Sequence, residues 1–177
     1  MSFIHELHAA AAKANLPFIV IGGHAVNALG ISRETADFDI LVPRENEGGW
    51  RGLLGSLGYT VRFDGGNFLQ MDPPPDSTWP VDLMLVNGGT FSKLWASVTD
   101  GELMGLKFKI PAPEHLIALK LHALRQDKPH RALKDFLDVV AIIQTCRLEL
   151  ESPSLRETFS RYGTDEILER VRKALGP

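Results

Sequence analysis

The sequence predicts an α/β (α+β) fold: a mixed sheet flanked by helices, with a helical annex towards the C-terminus. Three observations carry this. Short apolar runs at residues 18–21, 40–42 and 81–86 have strand length and are bounded by glycine or proline. Segments with the 3–4-residue spacing of amphipathic helices lie around them. From Pro113 onward the apolar spacing is helical throughout. The expected division is an α/β core over residues 1–111 and a helical region packed on it over 112–177.

Ile4, Leu7, Ala11 and Ala14 recur at helical spacing, and Pro17 stops that first helix. The run F-I-V-I enters Gly22-Gly23 as a buried strand, and H-A-V-N-A-L follows as a short helix closed by Gly30. The segment D-F-D-I-L-V is the second strand, ended by Pro43. Trp50, Leu53, Leu54 and Leu57 share a helical face, although Gly48, Gly49, Gly52 and Gly55 weigh against a helix there. Y-T-V-R-F and F-L-Q-M flank D-G-G-N as a hairpin. Pro73, Pro74, Pro75 and Pro80 exclude regular structure from the next stretch. V-D-L-M-L-V is a further strand, Thr90 is a candidate helix cap, and L-K-F-K-I alternates as a half-exposed strand. Two strong helices follow Pro113, and Ser152-Pro153 and Thr164-Asp165-Glu166 have the chemistry of two more helix starts.

Hydrophobic residues make up 44% of the 177 and charged residues 23%, the balance of a globular domain with a core that needs no staples. A net charge of −3 offers no global attraction for nucleic acid. The single cysteine, Cys146, precludes an intrachain disulfide and reads as a small hydrophobe at a helix end. The first sixteen residues lack the basic flank and apolar run of a signal peptide, and no stretch has the length of a membrane span, so a cytoplasmic protein is expected.

Asp37 and Asp39 lie two apart among apolar neighbours, so they point to one face of a strand and repel. A divalent cation resolves that conflict, and hard paired oxygens suit Mg2+ or Mn2+ together with phosphate. Upstream, the strand–Gly22-Gly23–helix turn lets backbone N–H groups approach an anion. Either feature alone is commonly just a turn or a solvated edge. Phe38, Ile40, Leu41 and Val42 oppose the solvated reading, and the two features together form a phosphate cradle and a metal platform in one βαβ-like unit.

These residues, G-G-H-A, D-F-D-I and the later V-D-L, resemble the nucleotidyltransferase superfamily, the group that includes DNA polymerase beta and the antibiotic nucleotidyltransferases. R-E-T-A-D-F-D and R-A-L-K-D-F-L-D are closer to bacterial minimal nucleotidyltransferases and abortive-infection toxin relatives. The resemblance covers residues 18–86 and extends loosely through 131–143. It implies a nucleotidyltransferase-type sheet in which Gly22 and Gly23 hold a triphosphate and Asp37, Asp39 and Asp82 are the catalytic, metal-binding carboxylates. Asp64, Asp72 and Asp76 are weaker choices for the third, being placed in turns or loops. The implied chemistry is metal-dependent transfer of a nucleoside monophosphate from an NTP to an acceptor hydroxyl, with two metals about 4 Å apart. Asp82 would help deprotonate that hydroxyl. The acceptor stays open among a small molecule such as an antibiotic, a protein side chain and an RNA end. One departure is Gly23, where many members carry a serine whose hydroxyl contacts phosphate.

Arg33 is expected either to bind phosphate or to neutralise Asp37 and Asp39. Arg131, Lys134, Asp135 and Asp138 share one helical face, with Leu133, Phe136, Leu137 and Val140 opposite. That face reads as solvated and laced by Arg131–Asp135 and Lys134–Asp138 pairs, while the resemblance implies that Lys134 reaches the triphosphate. Lys120, within an apolar helix, either snorkels outward or points into a cleft; with Lys107 and Lys109 it could line a basic groove. His24 reads as structural or ligand-contacting, and His115, His122 and His130 form no convincing metal set. Trp50, Trp79 and Trp95 are core or cleft wall. Two other readings compete: a non-catalytic nucleotide- or partner-binding module, antitoxin-like, and an Asp-x-Asp glycosyltransferase using nucleotide sugars. The early Gly-Gly turn fits the latter poorly.

Overall fold

The computed structural model describes residues 3–75, 79–126 and 129–176. It divides into two units, residues 1–28 with 33–110, and residues 29–32 with 111–177.

The first unit is built on a five-stranded mixed sheet. Helix α1 (Phe3–Lys13) buries Ile4, Leu7 and Ala11, while Ala14 lies beyond its end and is exposed. Strand β1 is only Ile19–Val20, and α2 (Gly22–Ala28) starts directly after Ile21. Strand β2 (Phe38–Pro43) is buried along its whole length. It pairs antiparallel with β1 and parallel with β5 (Val81–Val86), so the βαβ-like unit read from the sequence is an antiparallel strand pair joined through α2. A two-residue β1 leaves little chain to invert, and α2 returns it beside the strand it has just left. The hairpin β3 (Thr60–Asp64) and β4 (Phe68–Asp72) completes the order β1-β2-β5-β4-β3. Asp64 and Asp72 thus end strands rather than lying in loops.

Helix α3 (Glu47–Ser56) forms despite four glycines, because Trp50, Leu53 and Leu54 bury its inner face. Gly49 has a use there: a side chain would meet Leu16. Helix α4 (Gly88–Trp95) is capped by Asn87, whose side chain accepts from the Thr90 N–H at 2.8 Å, so Thr90 is the capped residue and not the cap. A strand that the sequence did not reveal, β6 (Thr99–Leu103), pairs antiparallel with β7 (Leu106–Ile110).

The second unit is helical: α5 (Pro113–Leu124), α6 (Pro129–Thr145), α7 (Pro153–Tyr162) and α8 (Asp165–Leu175). Ser152 and Thr164 cap α7 and α8 as expected, accepting from the N–H groups of Leu155 and Ile167. The face of α6 differs from the expectation. Asp135 and Asp138 are buried with Val139, Ile142 and Ile143, whereas Leu133 and Leu137 are exposed. The cause is Lys120, buried on α5, whose ammonium lies 2.8 Å from Asp135 Oδ1 and 2.7 Å from Asp138 Oδ2. A buried lysine needs carboxylates, and these two are one turn apart on the facing helix. Lys120 neither snorkels nor lines a groove, and Lys134 is exposed without an Asp138 pair. Asp76, His130 and the Arg131 side chain lie outside what is described. Among the described residues no helix is long and apolar enough to cross a membrane.

Candidate active site

Register in the sheet assembles the site. Asp39 on β2 stands directly opposite Asp82 on β5, and Asp82 stands opposite Gln70 on β4. Residues paired across strands point to the same face, so these three side chains form one row. Phe38, Ile40, Val81 and Leu83 turn to the other face and are fully buried, which holds the register: a one-residue slip would drive carboxylates into that core. Asp37 joins from the residue preceding β2. Carboxylate oxygens of Asp37, Asp39 and Asp82 lie within 4.8 Å of one another, the sole such acidic group among the described residues. Asp39 is 7% and Asp82 2% exposed; Asp37 is half-buried. Asp64, by contrast, is engaged elsewhere, accepting from the Gly66 N–H and pairing with Arg51.

Each carboxylate is held by a different device. The Thr35 hydroxyl donates to Asp37 Oδ1 at 3.1 Å. The Gln70 amide donates to both oxygens of Asp82, at 3.1 and 3.3 Å. Gly22, with φ of +63°, presses its backbone so closely on Asp39 that a side chain at Gly22 would overlap the carboxylate. Gly23 is equally crowded, because any side chain there would meet Arg33 Nη1 and Thr35. The missing serine hydroxyl is therefore not simply missing: the Arg33 guanidinium stands in that space. Asn27 fixes the Arg33 loop by donating to its carbonyl at 2.9 Å.

His24 is buried between Phe38 and Trp79, stacked on the Trp79 ring at 4.7 Å. Burial lowers its pKa below the ordinary 6.5, against the opposing pull of the nearby Asp37 charge. Trp50 is core, as expected; Trp95 is exposed and stacks on Phe91. Cys146 is half-buried, and burial beside Glu114 pushes its thiol pKa up, as suits an inert side chain.

The donor set fits a hard divalent cation. Three carboxylates, two of them buried, supply only oxygens, and their mutual repulsion is what such an ion offsets. The Asp pair was legible from its apolar setting. Gln70 was not, since a lone glutamine in a hairpin strand has no pattern until register places it beside Asp82.

No protein-family model and no curated protein sequence matches the chain. Solved structures do match by fold. The antibiotic-resistance factor ANT(2'')-Ia, in complex with adenylyl-2''-tobramycin, is similar over 97% of this chain and 94% of its own, with a TM-score of 0.67 and 18% identity. The lincosamide antibiotic adenylyltransferase LnuA, lincomycin-bound, is similar over 80% of this chain and 95% of its own, at TM-score 0.59 and 12% identity. An antigenic nucleotidyltransferase-like protein from Paracoccidioides brasiliensis matches 96% of this chain and 94% of its own, at TM-score 0.51 and 17% identity.

Proposed function

We propose, from the nucleotidyltransferase fold just established, that the chain is an enzyme moving a nucleoside monophosphate from an NTP to an acceptor hydroxyl. The observation that carries this reading is the meeting of Asp37, Asp39 and Asp82 within 4.8 Å beside Gly22. These three would hold Mg2+ or Mn2+. When bound, the cation supplies Lewis-acid charge to the phosphate oxygens and the leaving pyrophosphate. Gly22 and Gly23 give backbone N–H groups to the triphosphate, and Arg33, lodged against Gly23, offers a guanidinium to the same anion. Asp82, hydrogen-bonded by the Gln70 amide, takes the proton of the acceptor hydroxyl as that oxygen attacks the α-phosphorus. A role for Lys134 at the triphosphate rests on the sequence resemblance alone. Since ANT(2'')-Ia is seen with adenylylated tobramycin and LnuA with lincomycin, antibiotic hydroxyls are the first acceptors to try.

The test is melting of the protein with each NTP, with and without Mg2+, followed by pyrophosphate release in the presence of an acceptor panel. Ligand binding at a hundred times its Kd stabilises by about 2.7 kcal/mol, a readily measured rise in Tm. Asp37→Ala and Asp39→Ala should abolish that rise, and EDTA should reverse it. Asp82→Asn should reduce turnover by roughly a hundredfold or more. Melting indifferent to triphosphate and metal overturns the proposal. Binding without pyrophosphate release on any acceptor favours a nucleotide-binding module instead.

A further inference from the structure

We infer that Gln70 is a positioning residue for Asp82, a role that rests on the metal-site reading above. Asp82 is among the most deeply buried charged groups of the described residues, and a buried carboxylate needs hydrogen-bond donors. Gln70 supplies one from the neighbouring strand, its side-chain nitrogen lying 3.1 and 3.3 Å from the two Asp82 oxygens. An ionised carboxylate only accepts, so the amide faces it nitrogen-first.

The geometry is set by backbone, not by chance rotamers. Gln70 and Asp82 are register partners across β4 and β5, as Asp82 and Asp39 are across β5 and β2. Gln70 is half-buried, flanked by buried Leu69 and Met71 on the opposite face. The amide therefore braces the side of Asp82 away from Asp39. A neutral donor does this without adding positive charge that would compete with a cation. A lysine or arginine in the same place would neutralise Asp82 and weaken its hold on a metal.

The experiment compares Gln70→Leu, Gln70→Met and Gln70→His with the parent chain. Leucine and methionine keep the bulk and remove the donor; histidine returns a ring N–H. The readouts are Mn2+ affinity, from the electron paramagnetic resonance signal of the free ion, and Tm in EDTA. Loss of an outer-shell partner of a metal ligand lowers metal affinity by roughly ten- to a hundredfold. We expect that loss in Gln70→Leu and Gln70→Met, with substantial recovery in Gln70→His. Mn2+ affinity within twofold of the parent in both donorless variants overturns the inference, as does equal loss in all three, which would indicate packing alone. If the parent itself binds no Mn2+, it is the metal-site reading that has failed. A donorless variant that does not fold leaves the other to decide.

Discussion

At the residue scale the glycine pair is the most restrictive feature of the site. Gly22 has a left-handed φ of +63°, and a side chain there would run into the Asp39 carboxylate. Gly22→Ala therefore combines backbone strain of about 1–3 kcal/mol with displacement of the Asp39 carboxylate, a ligand in the proposed metal site. The expected result is loss of Mn2+ binding together with a lowered Tm; unchanged Mn2+ affinity would contradict the site geometry. Gly23 differs, because what excludes a side chain there is Arg33 and Thr35. Gly23→Ser alone should weaken triphosphate binding by about tenfold, the scale of a 1–3 kcal/mol overpacking penalty. Gly23→Ser combined with Arg33→Ala should lose less than the sum of the two single losses, since the hydroxyl gains the space that the guanidinium gives up. Calorimetric titration with a nonhydrolysable NTP measures both, and additive losses in the double variant would refute the coupling. In sequence, Gly23 reads only as a lost hydroxyl, because nothing local tells that a residue ten positions on fills its place.

At the element scale the informative contrast is between α6 and the strands. Strands β1, β2 and β5 were legible because apolar runs flanked by proline or glycine admit little else. Helix α6 was legible as a helix, but its orientation was not. A pattern with Leu133, Phe136, Leu137 and Val140 on one side and charges on the other has an obvious solution, and the protein adopts a different one. Lys120 decides it by drawing Asp135 and Asp138 inward, a long-range demand invisible along the α6 sequence. Its strength is testable. Lys120→Met would strand two buried carboxylates and should cost about 3–5 kcal/mol in urea unfolding. Lys120→Met with Asp135→Leu and Asp138→Leu should regain most of that loss, as apolar replacements of buried ion pairs commonly do. A single variant as stable as the parent would show the ions to be idle. Strand β6 escaped notice for a related reason: T-D-G-E-L carries few apolar residues, and its pairing with β7 is what makes it a strand.

At the scale of the whole molecule, stability should depend on pH through His24. The unfolded chain binds a proton at this histidine near the ordinary 6.5, whereas burial lowers the pKa in the fold. Below 6.5 the unfolded state therefore takes up more protons. Stability is fully present above that pH and falls as acid carries the solution down towards the lowered native value, with a slope of up to about 1.4 kcal/mol per pH unit. His24→Phe, which keeps the ring between Phe38 and Trp79, should flatten urea-unfolding stability across that window; an unaltered slope would rule His24 out as its source. Topology was the least legible level. Asp37 and Asp39 could be chosen from their spacing among apolar neighbours and Asp82 from the family resemblance, but the reversal of β1 and the row from β2 through β5 to β4 arise from strand order, which no local segment encodes.

The parallel pairing of β2 with β5 has a consequence for synthesis. A chain still emerging from the ribosome displays Asp37 and Asp39 long before Asp82 is translated, and the hairpin β3–β4 must be made in between. Until β5 docks, the nascent polypeptide has two of the three clustered carboxylates and no Gln70–Asp82 brace, so the proposed cation site belongs to the finished sheet and not to the growing one.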